Sequence, residues 1–229
     1  MAHIHYFPVS VGHAGLYAAL LVALLLLQIG LLRRAYSALG LNPVVATLVL
    51  LASLLGSSIN LPLLRLPEER VVSQEVVEVL GVPFLAPVVV DWHGTILAIN
   101  VGGAVIPILL SFYLLLRYDL WGSGALAAAI VAFVVHWLAT PVPGVGISVP
   151  TLAPPLLAAG VALLLSRRFA APLAYIGGSL GVLIGADLLN LGSLRSLGAP
   201  VASIGGAGTF DGIFLTGVIA VLLASLVSN

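Results

Sequence analysis

Long apolar runs, each closed by a short polar break, make up most of the chain. A helix needs about 20 mostly apolar residues to cross ~30 Å of hydrocarbon at ~1.5 Å per residue. Seven stretches fit that pattern. Ala14–Leu32 stops at Arg33-Arg34, and Pro43–Leu64 is interrupted by Ser57-Ser58-Ile59-Asn60 ahead of Pro62. Thr95–Leu116 stops at Arg117-Tyr118-Asp119, and Gly122–Ala139 ends at Thr140-Pro141. Pro150–Leu165 is short and carries Pro154-Pro155, while Ala171–Asn190 and Asp211–Val227 complete the set. The chain opens without a basic segment, and its first apolar run is too long for the core of a cleaved signal peptide. It therefore reads as a retained first helix behind a His-bearing leader.

Between Arg65 and Asp91 the pattern changes. Val71-Val72-Ser73-Gln74-Glu75-Val76-Val77-Glu78-Val79 is rich in β-branched residues and bounded by Pro67 and Gly81. That composition favours a short strand or a surface hairpin outside the membrane, with an amphipathic surface helix as the rival. No internal repeat is visible, so residues 1–229 read as a single polytopic membrane domain, all-α apart from the β-prone connection at 65–91.

The arginines set an expected orientation through the positive-inside rule. Connections after the first, third and fifth runs hold Arg33, Arg34, Arg117, Arg167 and Arg168, against Arg65, Arg70 and Arg195 on the other side. The bias predicts an N-terminus outside and a C-terminus in the cytoplasm, with the chain integral to the cell (inner) membrane.

Composition secures the class. The chain is 61% hydrophobic and 7% charged, with a mean hydropathy of +1.24, whereas soluble domains carry roughly 25% charged residues. Such a chain takes lipid as its solvent, which excludes soluble enzymes and secreted disulfide scaffolds. Eight Arg, no Lys and eight acids give a formal net charge of zero, so there is no basic footprint for nucleic acid. Membrane lipids are the expected partners. Without cysteine there is neither a thiolate nucleophile nor a thiolate metal site.

Ionisable residues inside a bilayer are costly, at ~2.5–3.5 kcal/mol on insertion scales, so each marks a candidate function. Alternation of the runs puts Asp187, at the end of the sixth, and Asp211, at the start of the seventh, on one side of the membrane. His136, Asp91, His93 and the leader histidines His3, His5 and His13 fall on that same side. Structural alternatives stand beside each: an N-cap for Asp211, membrane exit for Asp187 and Asn190, interfacial anchoring for Asp91-Trp92-His93 and His136-Trp137. The connection Leu191–Phe210 is apolar and Gly-rich, which points to a loop re-entering membrane depth and lining a cavity. Asn190, Gly206, Gly208, Thr209, Gly212 and His136 are its candidate lining residues.

Two carboxylates close together in a low-dielectric site share a proton. One then activates water while the other protonates the scissile carbonyl. That chemistry needs no cofactor and would act on a transmembrane peptide. The same shared proton suits a proton- or cation-coupled small transporter or channel. A divalent metal held by His3, His5, Asp91 and His93, with His136, is a third possibility.

Gly185-Ala186-Asp187-Leu188-Leu189-Asn190, Gly205-Gly206-Ala207-Gly208-Thr209-Phe210-Asp211-Gly212 and the leader His3-Ile4-His5-Tyr6-Phe7-Pro8 resemble a family of uncharacterised prokaryotic polytopic membrane proteins, known only as a domain of unknown function. More remotely, an Asp on the sixth helix and a Gly-rich approach to an Asp on the seventh are similar to intramembrane aspartyl proteases of the presenilin and signal-peptide-peptidase class. That resemblance implies Asp187 and Asp211 as the catalytic pair. The leading expectation is thus an all-α integral membrane protein of about seven helices with a paired-aspartate site acting as an intramembrane aspartyl protease.

Overall fold

The computed structural model describes residues 29–65, 69–79, 82–92, 94–142, 146–197, 201–206 and 212–228, with the backbone alone at 69–79, 82–92 and 194–197. Helix α1 (29–38) turns at Leu39-Gly40 into α2 (Pro43–Gly56). Asn42 caps α2 by accepting a hydrogen bond from Val45 N–H at 2.8 Å, and Pro43 occupies the first turn, where its missing N–H costs nothing. Strands β1 (Asn60–Arg65), β2 (Glu69–Val79), β3 (Val82–Trp92) and β4 (Ile96–Asn100) follow. A π-helical turn, Val101–Val105, then opens α3 (Ile106–Tyr118), and α4 (Trp121–Leu138) runs back. A small hairpin of β5 (Thr140–Val142) and β6 (Gly146–Ser148) leads to α5 (Ala153–Leu165) and α6 (Ala170–Val182). Helix α6 loosens into a second π-helical turn, Leu183–Asp187, and a 3₁₀ helix, Leu188–Leu197, before β7 (Val201–Ile204) and α7 (Gly212–Ser228).

Several apolar runs divide differently from the hydropathy pattern. The second run is helical only to Gly56. Ser57 Oγ donates to Leu54 O at 2.7 Å, competing with the helix for its own carbonyls. Pro62 then disfavours helix at Leu61. Residues 60–65 form β1 instead, on the edge of the sheet β1-β4-β7, where a proline is tolerated. The third run begins as strand, β4, and its helix starts only after Asn100; a continuous apolar run cannot distinguish the two by periodicity. The segment at 69–92 is an antiparallel hairpin, as its β-branched residues suggest. The described part of the Gly-rich connection is more regular than a re-entrant loop. It comprises the 3₁₀ helix and β7, which pairs in parallel with β4 from Ile96↔Val201 to Ile99↔Ile204. Apolar surroundings reward that pairing, because it supplies backbone partners that water does not.

Helix α6 is the centre of the bundle. All its residues but Leu180 are buried, against α3, α4, α5 and α7. Small residues make this possible, as in membrane helix packing. Gly177, Gly181 and Gly185 recur every four residues along the face towards α4. A Cβ on Gly181 would lie 2.6 Å from Val131 Cβ, and one on Gly185 2.9 Å from Ala132 Cα. On the other side Gly178 lies against Thr216 and Gly217 of α7.

Outward faces are apolar, exposing Leu48 and Leu55 of α2, Leu116 of α3, Phe133 of α4 and Leu164 of α5. Among the described residues three helical stretches are long and apolar enough to cross a membrane: Val101–Tyr118, Trp121–Leu138 and Ala170–Ser193. Helices α2, α5 and α7 are apolar but shorter, at 14, 13 and 17 residues.

The α6–α4 contact predicts that Gly181→Leu lowers stability by about 1–3 kcal/mol or more through overpacking. Gly160→Ala, which meets nothing within 4 Å, should instead stabilise α5 by roughly 0.5–1 kcal/mol. Thermal unfolding in detergent reads both, and an unchanged Gly181→Leu protein would contradict the packing.

Candidate functional site

Both π-helical turns lie at the same end of the bundle, where β1, β4 and β7 also meet. Such turns are rare and concentrate at functional sites. The polar residues that make them possible are mostly uncharged.

Asn100, the last residue of β4, is fully buried. Its amide donates to Ser57 O at 2.7 Å and to Asn60 Oδ1 at 3.0 Å, and its own Oδ1 accepts from Gly103 N–H at 2.7 Å. Both amide hydrogens are thus used, and the start of the helix is capped. Asn60 Oδ1 also accepts from Ser203 Oγ at 2.6 Å, tying β7 to β1 across β4. Gly102 allows the π-helical turn to touch α2, since a Cβ there would collide with the Ser53–Ser57 backbone.

Gly205 joins the two turns. It has φ +82°, a conformation glycine adopts without strain, in a turn closed by Gly206 N–H to Ser203 O at 3.0 Å. A Cβ on Gly205 would lie 2.6 Å from Ala104 Cβ in the first π-helical turn. Its N–H donates to Asp187 Oδ2 at 3.0 Å, at the end of the second. Asp187 is half-buried, and its carboxylate thereby anchors the Gly-rich strand.

Three residues on, Asn190 turns back. Its amide donates to Gly185 O at 2.9 Å and Ala186 O at 3.0 Å, and lies 3.3 Å from His136 Nδ1 at the end of α4. An amide has two hydrogens, so the two carbonyls take them and the approach to the imidazole is shared. The arrangement gathers a carboxylate, an imidazole, amides and a hydroxyl around the two π-helical turns.

A cluster of buried hydroxyls lies within the bundle. Ser53, whose carbonyl accepts from Ser57 N–H, is buried with Tyr36, Tyr175 and Ser179. The Tyr36 hydroxyl neighbours those of Ser53 and Tyr175, and Tyr175 neighbours Ser179. None of the four forms a well-aligned hydrogen bond. The Tyr36 and Tyr175 rings lie 6.4 Å apart.

Among the candidates from sequence, Asp187, Asn190, His136 and Gly206 fall at this pole, and Gly212 opens α7. Gly208, Thr209, Asp211, His3, His5, His13 and His93 lie outside the described residues, and Asp91 lies on β3, described by its backbone only. Among the described residues no group of three metal-ligating side chains comes together. Asn60, Asn100, Ser203 and Gly205 are not among the candidates the sequence offers, since an uncharged side chain or a glycine in an apolar run carries no cost of burial comparable to that of an ionised group. The available signal was Asn100 beside Gly102-Gly103 within an apolar run.

Residues 54–223 match the model of a family described as a protein of unknown function (DUF1614). No curated protein and no solved structure matches the chain. The chain belongs to the DUF1614 family, and the match takes in every residue of the polar pole.

Replacing Asn100 by Leu removes the side-chain partner of Ser57 O and Gly103 N–H, while Asn60 Oδ1 keeps its bond from Ser203 Oγ. A buried polar group left unsatisfied costs about 1–3 kcal/mol, so Asn100→Leu should markedly lower the unfolding temperature in detergent. Ser225→Ala, which removes only a bond within α7, should change stability by less than about 0.5 kcal/mol. Equal stability of the two variants would contradict the capping role.

Proposed function

We propose that this member of the family is a small proton- or cation-coupled transporter or channel, with Asp187 as its coupling carboxylate. The observation that carries the reading is the meeting at Gly205 of two helices that each carry a π-helical turn, with the Gly205 N–H donating to Asp187 Oδ2 at 3.0 Å. π-Helical turns are rare and concentrate at functional sites, and a carboxylate within an apolar helical bundle marks a proton or ion pathway. Protonating Asp187 weakens its hold on Gly205 N–H, since a charged acceptor binds more strongly than a neutral one. Proton occupancy is thereby coupled to the docking of β7. The buried hydroxyls of Ser53, Tyr36, Tyr175 and Ser179 support the same reading, as polar groups placed within apolar packing.

An intramembrane aspartyl hydrolase is the second reading. It is favoured by the bond from Asp187 to Gly205, which lies close in sequence to Asp211. It requires both carboxylates, whereas coupled flux requires Asp187.

Proteoliposomes under an imposed pH gradient separate the two. The expected result is proton or cation flux through the wild-type protein, abolished in Asp187→Asn. Flux that persists in Asp187→Asn would overturn the transporter reading. Cleavage of a transmembrane peptide, lost in both Asp187→Asn and Asp211→Asn, would establish the hydrolase.

A further inference from the structure

We propose that Arg117 and Arg168 form a headgroup site for an anionic phospholipid at the end of the bundle opposite Asp187. Tyr118 joins three connections there. Its hydroxyl donates to Leu39 O at 2.9 Å in the α1–α2 turn, and its ring meets that of Phe169, in the α5–α6 turn, at 5.6 Å. Arg117 Cζ stands 5.5 Å from the Tyr118 ring and 5.6 Å from the Tyr113 ring, and its guanidinium also donates to the Tyr113 hydroxyl. Arg168 Cζ stands 5.2 Å from the Phe169 ring. Two guanidinium ions are therefore held on one pair of touching rings, oriented by cation–π contact.

Neither arginine has an acidic partner in an ion pair among the described residues, and Asp119, beside Arg117, does not supply one. Arg33, Arg34 and Arg167 lie at the same end and are exposed, so five arginines face one aspartate in a chain whose formal net charge is zero. Like charges gathered without counter-charge favour an anion, and planar guanidinium groups match phosphate oxygens in a fork.

The surroundings specify an amphiphile. Leu116, next to Arg117, is 68% exposed and Leu164, on the last turn of α5, is 88% exposed. Phe112 and Trp121 are exposed on the same flank, with their rings 6.3 Å apart. Phosphate charge and acyl chains on one molecule satisfy both surfaces, and a soluble phosphate satisfies only the first. This inference is independent of the role of Asp187.

The test uses full-length protein, delipidated in neutral detergent and analysed by native mass spectrometry with phosphatidylglycerol and phosphatidylcholine in competition. Wild-type protein should retain phosphatidylglycerol preferentially. The preference should fall about tenfold or more in Arg117→Gln/Arg168→Gln, given the attraction of each arginine to an anionic surface. It should be unchanged in Arg65→Gln at the other pole. Absence of a headgroup preference in the wild type overturns the proposal, as does full preference in a folded double variant. Inorganic phosphate stabilising the protein against heat as well as phosphatidylglycerol does would identify a free-anion site and also overturn it. If the double variant does not fold, the wild-type competition decides.

Discussion

Inside an apolar medium, backbone N–H and C=O groups released by a break in a helix find their partners within the protein or the break does not form. This constraint organises the structure. With only 7% of its residues charged, the chain meets it with amides and glycines. Asn100 caps the helix that starts with the first π-helical turn, and Asn190 takes up the carbonyls of Gly185 and Ala186 in the second. The sheet β1-β4-β7 pairs the backbone of 60–65, 96–100 and 201–204, and Asp187 receives the N–H of Gly205 where the strand ends. Close approach of α6 to its neighbours, permitted by Gly177, Gly181 and Gly185, brings these breaks to one place.

The two ends of the bundle consequently carry different chemistry. At the Asp187 end, described amide, hydroxyl and carboxylate groups face inward and hold backbone together. At the opposite end the charges are arginines resting on Tyr113, Tyr118 and Phe169 and directed outward. Within the bundle Ser53, Tyr36, Tyr175 and Ser179 place a cluster of hydroxyls in packing that is otherwise apolar. Buried polar networks cost stability wherever they are incompletely satisfied.

Much of the helical content was legible in the sequence, because hydrophobic run length is a direct consequence of the solvent. The arginine-terminated ends of α3 and α5 and the β-branched hairpin at 69–92 followed from local composition. The second and third runs were misdivided, since Ile96–Ile99 and Leu61–Leu64 are as apolar as the helices beside them and differ only in what they pair with. Pairing is non-local: β1 finds β4 across the intervening hairpin, and β4 finds β7 about a hundred residues later. The bond between Gly205 and Asp187 was invisible for the same reason. A Gly-rich stretch announces tolerance of close approach without naming the neighbour that approaches.

A transporter site at Asp187 requires that this pole open to water, which a purely structural polar core does not. The chain has no cysteine, so a single Ser203→Cys substitution reports on that pole alone. In sealed vesicles the account predicts rapid modification by a membrane-impermeant maleimide from one side of the membrane. Modification only by a permeant thiol reagent, with none by the impermeant one from either side, would contradict it.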